Sequence, residues 1–171
     1  MSANWFIAFR VHAPSLDLEA PASGVRLFDR EDLHATIAFL GGIDEQRARA
    51  AWEAAAVSLA PRAITLGRVV PLGASALSAI VDDADIAAAI GAARDEMHRA
   101  AGTPPDTRPP LPHVTVARVG RRADREAAVA WASRLHLETV AARIDDVALY
   151  TWAEDRKARL FRVVESRLLL R

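Results

Sequence analysis

The sequence predicts an α+β fold built as two similar lobes around a cleft. Three observations lead there. Strand-like and helix-like segments mix along the chain, no stretch has the composition of a linker, and one strand–glycine turn–helix unit occurs twice.

Residues 4–12 (NWFIAFRVH) are aromatic and branched, stop near Pro14, and predict a first strand. Residues 24–28 predict a short strand, and residues 33–40 (LHATIAFL) a longer one closed by Gly41 and Gly42. Asp44 is a suitable N-cap for a helix running to about Ala60, where Pro61 stops it. Residues 64–70 and 76–81 predict two strands joined by a Pro/Gly/Ser turn. The spacing of Ile86, Ile90, Ala93, Met97 and Ala100 draws one apolar stripe on a helix over 82–101, with Gly102 as its stop. The loop TPPDTRPPLP is too rich in proline for a helix or a central strand. A strand over 111–119, a helix over about 123–137 and two closing strands, 147–152 and 160–169, complete the reading.

Composition narrows the function classes. With 171 residues, 51% of them hydrophobic, the chain can bury a real core as one bilobal domain, 1–171. No apolar run approaches the roughly 20 residues that span a bilayer. MSANWFIAFRV has no basic stretch leading into a long apolar one, so it reads as a strand and not as a signal peptide, and a cytoplasmic monomer is expected. The absence of cysteine excludes thiol nucleophiles, disulfides and cysteine-bound zinc. With 22 basic and 22 acidic residues the chain is poorly suited to coating nucleic acid. Two stretches are locally basic: Arg118, Arg121, Arg122 and Arg125, then Arg156, Lys157, Arg159, Arg162, Arg167 and Arg171. Either suits an anionic substrate or a solvated surface.

The repeat is the informative feature. HATIAFLGGIDEQRARAAWEAA from His34 aligns without gaps with HVTVARVGRRADREAAVAWAS from His113. The agreements are His34/His113, Thr36/Thr115, Ala38/Ala117, Gly41/Gly120, Ala48/Ala127, Ala51/Ala130 and Trp52/Trp131. Alternation along a strand points His34 and Thr36 the same way, and likewise His113 and Thr115. A pseudo-two-fold axis then gathers two imidazoles and two hydroxyls in one cleft. Two imidazoles suit phosphoester hydrolysis: a neutral one takes a proton from water and a protonated one gives a proton to the leaving oxygen. Hydroxyls donate to the non-bridging oxygens, where charge accumulates. No third ligand with recognisable spacing accompanies the histidines, so neither metal nor cofactor is expected. His12, His98 and His136 lack the H-x-T context and read as surface or capping residues. Trp5, Phe9 and Trp152 suit either the core or base stacking, while Trp52 and Trp131, matched in the repeat, read as core.

HATI and HVTV, two copies of H-x-T-hydrophobic, resemble the signature of the two-histidine (2H) phosphoesterases. The chain is most similar to the bacterial and archaeal RNA 2′,3′-cyclic phosphodiesterases, or 2′-5′ RNA ligase family. FIAFRV, VRLFDREDLHATIAFLGGIDE, PHVTVARV and VALYTWAEDRKARLFRVVESRLLL extend the likeness over most of the chain. The resemblance implies two lobes, each a mainly antiparallel sheet with outer helices, around a central cleft. It implies metal-independent hydrolysis of a 2′,3′-cyclic phosphate on RNA ends or cyclic nucleotides to a 2′-phosphomonoester. It assigns His34 as proton donor, His113 as proton acceptor, and Thr36 and Thr115 as phosphate-binding residues. Arg118 matches an arginine common in the family and is a substrate-binding candidate by that match; strand parity sets it on the face opposite His113 and Thr115, so it reaches the phosphate only if the strand bulges or ends first. Leu111 stands where the family often has a basic residue, Trp152 where it often has serine, and Phe161 where it often has tyrosine. Other readings are an enzyme for another cyclic phosphate or a 2′-5′-linked nucleotide, including reversible ligation, and a non-catalytic RNA-binding module.

Overall fold

The aromatic run at the N-terminus becomes an inner strand, β1 (Trp5–Arg10), buried from Trp5 to Phe9. Its neighbours are β3 (His34–Gly41) on one side and β9 (Asp146–Trp152) on the other, and β10 (Phe161–Leu168) completes a four-stranded sheet in the order β10-β9-β1-β3. β9 is buried as continuously as β1, while β10 at the edge carries exposed polar residues. That is the contrast expected of inner and edge strands. A second four-stranded sheet runs in the order β2 (Val25–Leu27), β7 (His113–Val119), β6 (Ala76–Ile80), β5 (Val69–Leu72). Every ladder in both sheets is antiparallel. The computed structural model describes residues 3–21 and 24–170. Arg171 of the second basic stretch and the first two residues of the N-terminal reading lie outside them.

Among the described residues three α-helices flank the sheets: α1 (Glu45–Ala54), α2 (Ala84–Ala101) and α3 (Arg125–Ser133). Each is started by an aspartate whose carboxylate accepts from first-turn N–H groups: Asp44 from Arg47, Asp83 from Asp85 and Ile86, Asp124 from Ala127. Gly102 ends α2 at φ 62°, a left-handed conformation that glycine adopts without strain. Arg47 from α1 donates to the carbonyls of Ala101 and Gly102, joining a cation to the negative end of α2. α1 and α2 pack together, α2 lies against β3, and α3 lies against β5.

The structure differs from the expected elements in three places. α1 stops at Ala54, not near Ala60, because the chain turns extended at Ala55 and buries Leu59 in the core. The strand expected over 64–70 is two strands. β4 (Arg62–Ile64) pairs with a strand the sequence reading missed, β8 (Ala142–Ile144), in a separate two-stranded sheet. Between β4 and β5, Gly67 approaches the end of β6 so closely that a Cβ there would lie 2.8 Å from the Ile80 carbonyl oxygen. α3 ends at Ser133, short of the expected Leu137. Among the described residues no helix is long and apolar enough to cross a membrane.

Candidate active site

β3 and β7, the strands of the repeat, adjoin each other where the two sheets meet. Their burial follows one pattern: half-buried, buried, half-buried, buried, buried, exposed, buried. The two adjacent buried residues mark a matched bulge. In β3, Thr36 pairs with Ala8 and Ala38 with Ile7, leaving Ile37 over. In β7, Thr115 pairs with Ser78 and Ala117 with Leu77, leaving Val116 over. An extra residue reverses the alternation beyond it. His34, Thr36 and Phe39 therefore share one face of β3, and His113, Thr115 and Arg118 share one face of β7. The bulge meets the condition under which Arg118 joins the face of His113 and Thr115, which strict parity would deny it.

Both imidazoles are held alike. His34 Nδ1 lies 2.6 Å from the Asp32 carbonyl oxygen, and His113 Nδ1 lies 2.6 Å from the Leu111 carbonyl oxygen. A carbonyl only accepts, so each Nδ1 carries the hydrogen, and each Nε2 is left to accept a proton or, once protonated, to give one. The surroundings differ. The His34 ring sits among four aromatic rings: Phe6 at 4.7 Å, Phe161 at 5.4 Å, Tyr150 at 5.5 Å and Phe28 at 6.4 Å between centroids. Loss of solvent among these rings lowers its pKa from 6.5 to about 4, against the opposing effect of the Asp32 hydrogen bond; the charges of His113 and Arg118 lower it further. His113 is half-buried. Asp32 also fixes the box: its buried carboxylate accepts from the N–H groups of Leu160 and Phe161 at 2.8 and 3.2 Å, holding the closing hairpin against the histidine.

The hydroxyls are not equivalent. Thr115 Oγ1 lies 2.9 Å from the fully buried Ser78 Oγ, whereas the cross-strand partner of Thr36 is Ala8, which offers no such contact. When Ser78 donates to Thr115, the Thr115 hydrogen is free to point into the cleft. A groove of about 510 Å³ opens from Thr36 and His113 over Phe39, Ile90, Arg94 and Leu111. Phe39 is 56% exposed and Leu111 50% exposed, so the position that is often basic in the resembling family is here part of an apolar wall. Arg118 stands on the other side, its Cζ 5.8 Å from the Phe28 centroid. Loss of solvent, then the charges of Arg156 and Arg26, lower its pKa, and it remains a cation.

Other residues fall as follows. Trp5, Phe9 and Trp52 are core, Trp131 packs against the core, and Trp152 is half-exposed beneath Arg156. His12 binds Asp146 at 2.9 Å, and His136 is exposed. His98, read as surface or capping, is buried and bonds Thr103 Oγ1 at 2.8 Å, just past the end of α2. Ser78, Asp32 and Phe39 were missed. Only Phe39 left a signal, as the counterpart of Arg118 in the ungapped repeat.

Residues 8–156 match the 2′-5′ RNA ligase superfamily. The chain belongs to that superfamily. The fold is likewise that of solved structures aligned over nearly the whole chain. E. coli LigT complexed with 3′-AMP is 16% identical, covering 100% of both chains with a TM-score of 0.68. A protein described as a phosphoesterase is 16% identical over 100% of both chains with a TM-score of 0.70. TT0787 of Thermus thermophilus is 19% identical over 97% of both chains with a TM-score of 0.60. No match was found among curated proteins. Superfamily and fold agree with the 2H phosphoesterase resemblance, two antiparallel sheets with outer helices around a cleft included.

Proposed function

We propose that the chain hydrolyses 2′,3′-cyclic phosphates of nucleosides or RNA ends to 2′-phosphomonoesters by acid–base catalysis between His34 and His113. The observation that carries this reading is the matched pair of bulged strands, each presenting an imidazole anchored through Nδ1 with Nε2 free. In the reaction one neutral Nε2 takes a proton from water as its oxygen bonds to phosphorus. The bond from phosphorus to O3′ breaks, and the other imidazole, protonated, gives its proton to O3′. Thr36 and Thr115 hydroxyls donate to the non-bridging oxygens, and Arg118 opposes their charge. These groups supply the charge stabilisation themselves, so the reaction needs no metal ion.

The family role of proton donor for His34 needs a physical condition. A pKa of about 4 leaves His34 neutral in the empty cleft at neutral pH. An entering phosphate anion attracts a proton to it and offsets the charge of Arg118, two changes that raise its pKa. His113 is then left the role of base. Because one imidazole must give a proton while the other takes one, the pH–rate profile should be a bell.

The test is phosphorus NMR of the product from adenosine 2′,3′-cyclic phosphate and from a short cyclic-ended RNA, with EDTA present. A 2′-phosphomonoester formed at an undiminished rate is expected. A 3′-phosphate would exchange the two histidine roles. Activity lost in EDTA and restored by a divalent ion would overturn the metal-independent mechanism.

A further inference from the structure

Three arginines of the two basic stretches have structural partners. Arg125 donates to the carbonyls of Gly73 and Ala74, Arg159 to that of Glu31, and Arg167 to that of Trp52 and to the Glu53 carboxylate. Arg121, Arg122 and Arg162 are exposed side chains on turns and at an edge strand. Three other guanidiniums gather beside the catalytic face. Arg26 and Arg118 are direct partners in the β2–β7 ladder. Arg26 also donates to the Lys157 carbonyl at 3.2 Å, which ties β2 to the turn bearing Arg156. Arg156 lies over the Trp152 ring, its Cζ 4.4 Å from the centroid.

Like charges directly opposite on neighbouring strands destabilise a sheet. Among the described residues none of these three arginines has a carboxylate within 4.0 Å. Asp155, in the same turn, is engaged with the Lys157 N–H. The cluster is thus an uncompensated concentration of positive charge, held in place by a strand ladder and a stacked indole. It adjoins the box around His34 through Phe28, whose ring lies 6.4 Å from the imidazole. The equivalent position in the other half of the repeat is Phe39, over a groove where Arg108 is paired with Asp106 and Arg94 donates to the Arg108 carbonyl, so the cationic groups on that side already have partners.

We propose that Arg26 and Arg156, flanking Arg118, form a second anion subsite for a phosphate carried on the 5′ oxygen of the nucleotide whose cyclic phosphate reacts. Planar guanidiniums suit phosphate oxygens in pairs, and a phosphate would relieve the Arg26–Arg118 repulsion. The subsite rests on the cyclic phosphodiesterase reading. Its ligand is either a terminal 5′-phosphomonoester or an internucleotide diester.

The experiment compares kcat/KM for adenosine 2′,3′-cyclic phosphate with a free 5′ hydroxyl, the same nucleotide with a 5′-phosphate, and a dinucleotide ending in the cyclic phosphate. At least one 5′-phosphorylated substrate is expected to be favoured about tenfold, equivalent to about 1.4 kcal/mol. The favoured substrate identifies the source of the phosphate. The ratio should fall toward one in Arg26→Gln and Arg156→Gln and persist in Arg162→Gln. Arg26→Gln relieves a like-charge contact but also removes the hydrogen bond to the Lys157 carbonyl, so its melting temperature is measured alongside, and Arg26→Lys, which keeps the charge, should retain more of the ratio than Arg26→Gln. No preference in the wild type, or a preference that survives both substitutions, overturns the subsite. If no cyclic phosphate is turned over, the phosphodiesterase reading fails by itself. Calorimetry with adenosine 2′,5′-bisphosphate against adenosine 2′-phosphate then decides the subsite: tighter binding of the bisphosphate, lost in Arg26→Gln, supports it, and equal binding overturns it.

Discussion

Replacing His34 by glutamine should make the protein lose less stability in acid while losing activity. The aromatic box lowers the His34 pKa from 6.5 to about 4. The folded state therefore binds fewer protons than the unfolded chain in the window between those values. The contribution of a neutral His34 is fully present above the unfolded value, and stability is lost as pH falls from there toward the folded value. For those two values, linkage gives a loss of about 2 kcal/mol between about pH 7 and about pH 4.5. Glutamine does not titrate, so His34→Gln should lack that increment while every other group still contributes. Urea unfolding of both proteins at the two pH values measures the difference of differences. An acid-induced loss in His34→Gln equal to that of the wild type would refute the desolvated box. The same variant should fall about 10²–10⁴-fold in kcat/KM, because an acid–base group is gone.

Thr115→Val keeps the strand shape and removes a hydroxyl, so kcat/KM should fall by roughly 10²-fold or more with little change in melting temperature, as for a lost oxyanion donor; full activity would make the threonine structural. Ser78→Ala should lose less activity than Thr115→Val, and about 1 kcal/mol of stability by chemical denaturation, since it removes one buried hydrogen bond. Gly67→Ala should destabilise by about 1–3 kcal/mol, read from the denaturation midpoint, because its methyl would meet the Ile80 carbonyl oxygen at 2.8 Å.

What the sequence made legible was local or repeated. H-x-T on a strand, aspartate before a helix and glycine after one each carry their geometry within a few residues, and β3, β7 and the ends of α2 lie close to where they were expected. The duplication added a long-range fact, that two such strands face one cleft. Strict parity sets Arg118 on the opposite face because it counts two residues per repeat; whether the strand bulges depends on pairing with β6, which periodicity does not encode. The early end of α1 has the same origin: an alanine-rich run favours helix, and burial of Leu59 overrides it. The box around His34 draws Phe6 from β1 and Tyr150 and Phe161 from the closing hairpin, more than a hundred residues on in the chain, so only the folded chain reveals it. Ser78 was equally hidden, as one serine among many until the β6–β7 register set it against Thr115.

The central claim is that His34 and His113 act as one acid–base unit on a 2′,3′-cyclic phosphate. The most direct measurement is kcat/KM on adenosine 2′,3′-cyclic phosphate for the wild type, His34→Ala, His113→Ala and the double variant, with folding verified for each. Groups that act together are not additive. Each single variant should lose about 10²–10⁴-fold, and the double variant little more than the worse single one. Near-wild-type turnover by either single variant, or losses that multiply in the double variant, would contradict the claim.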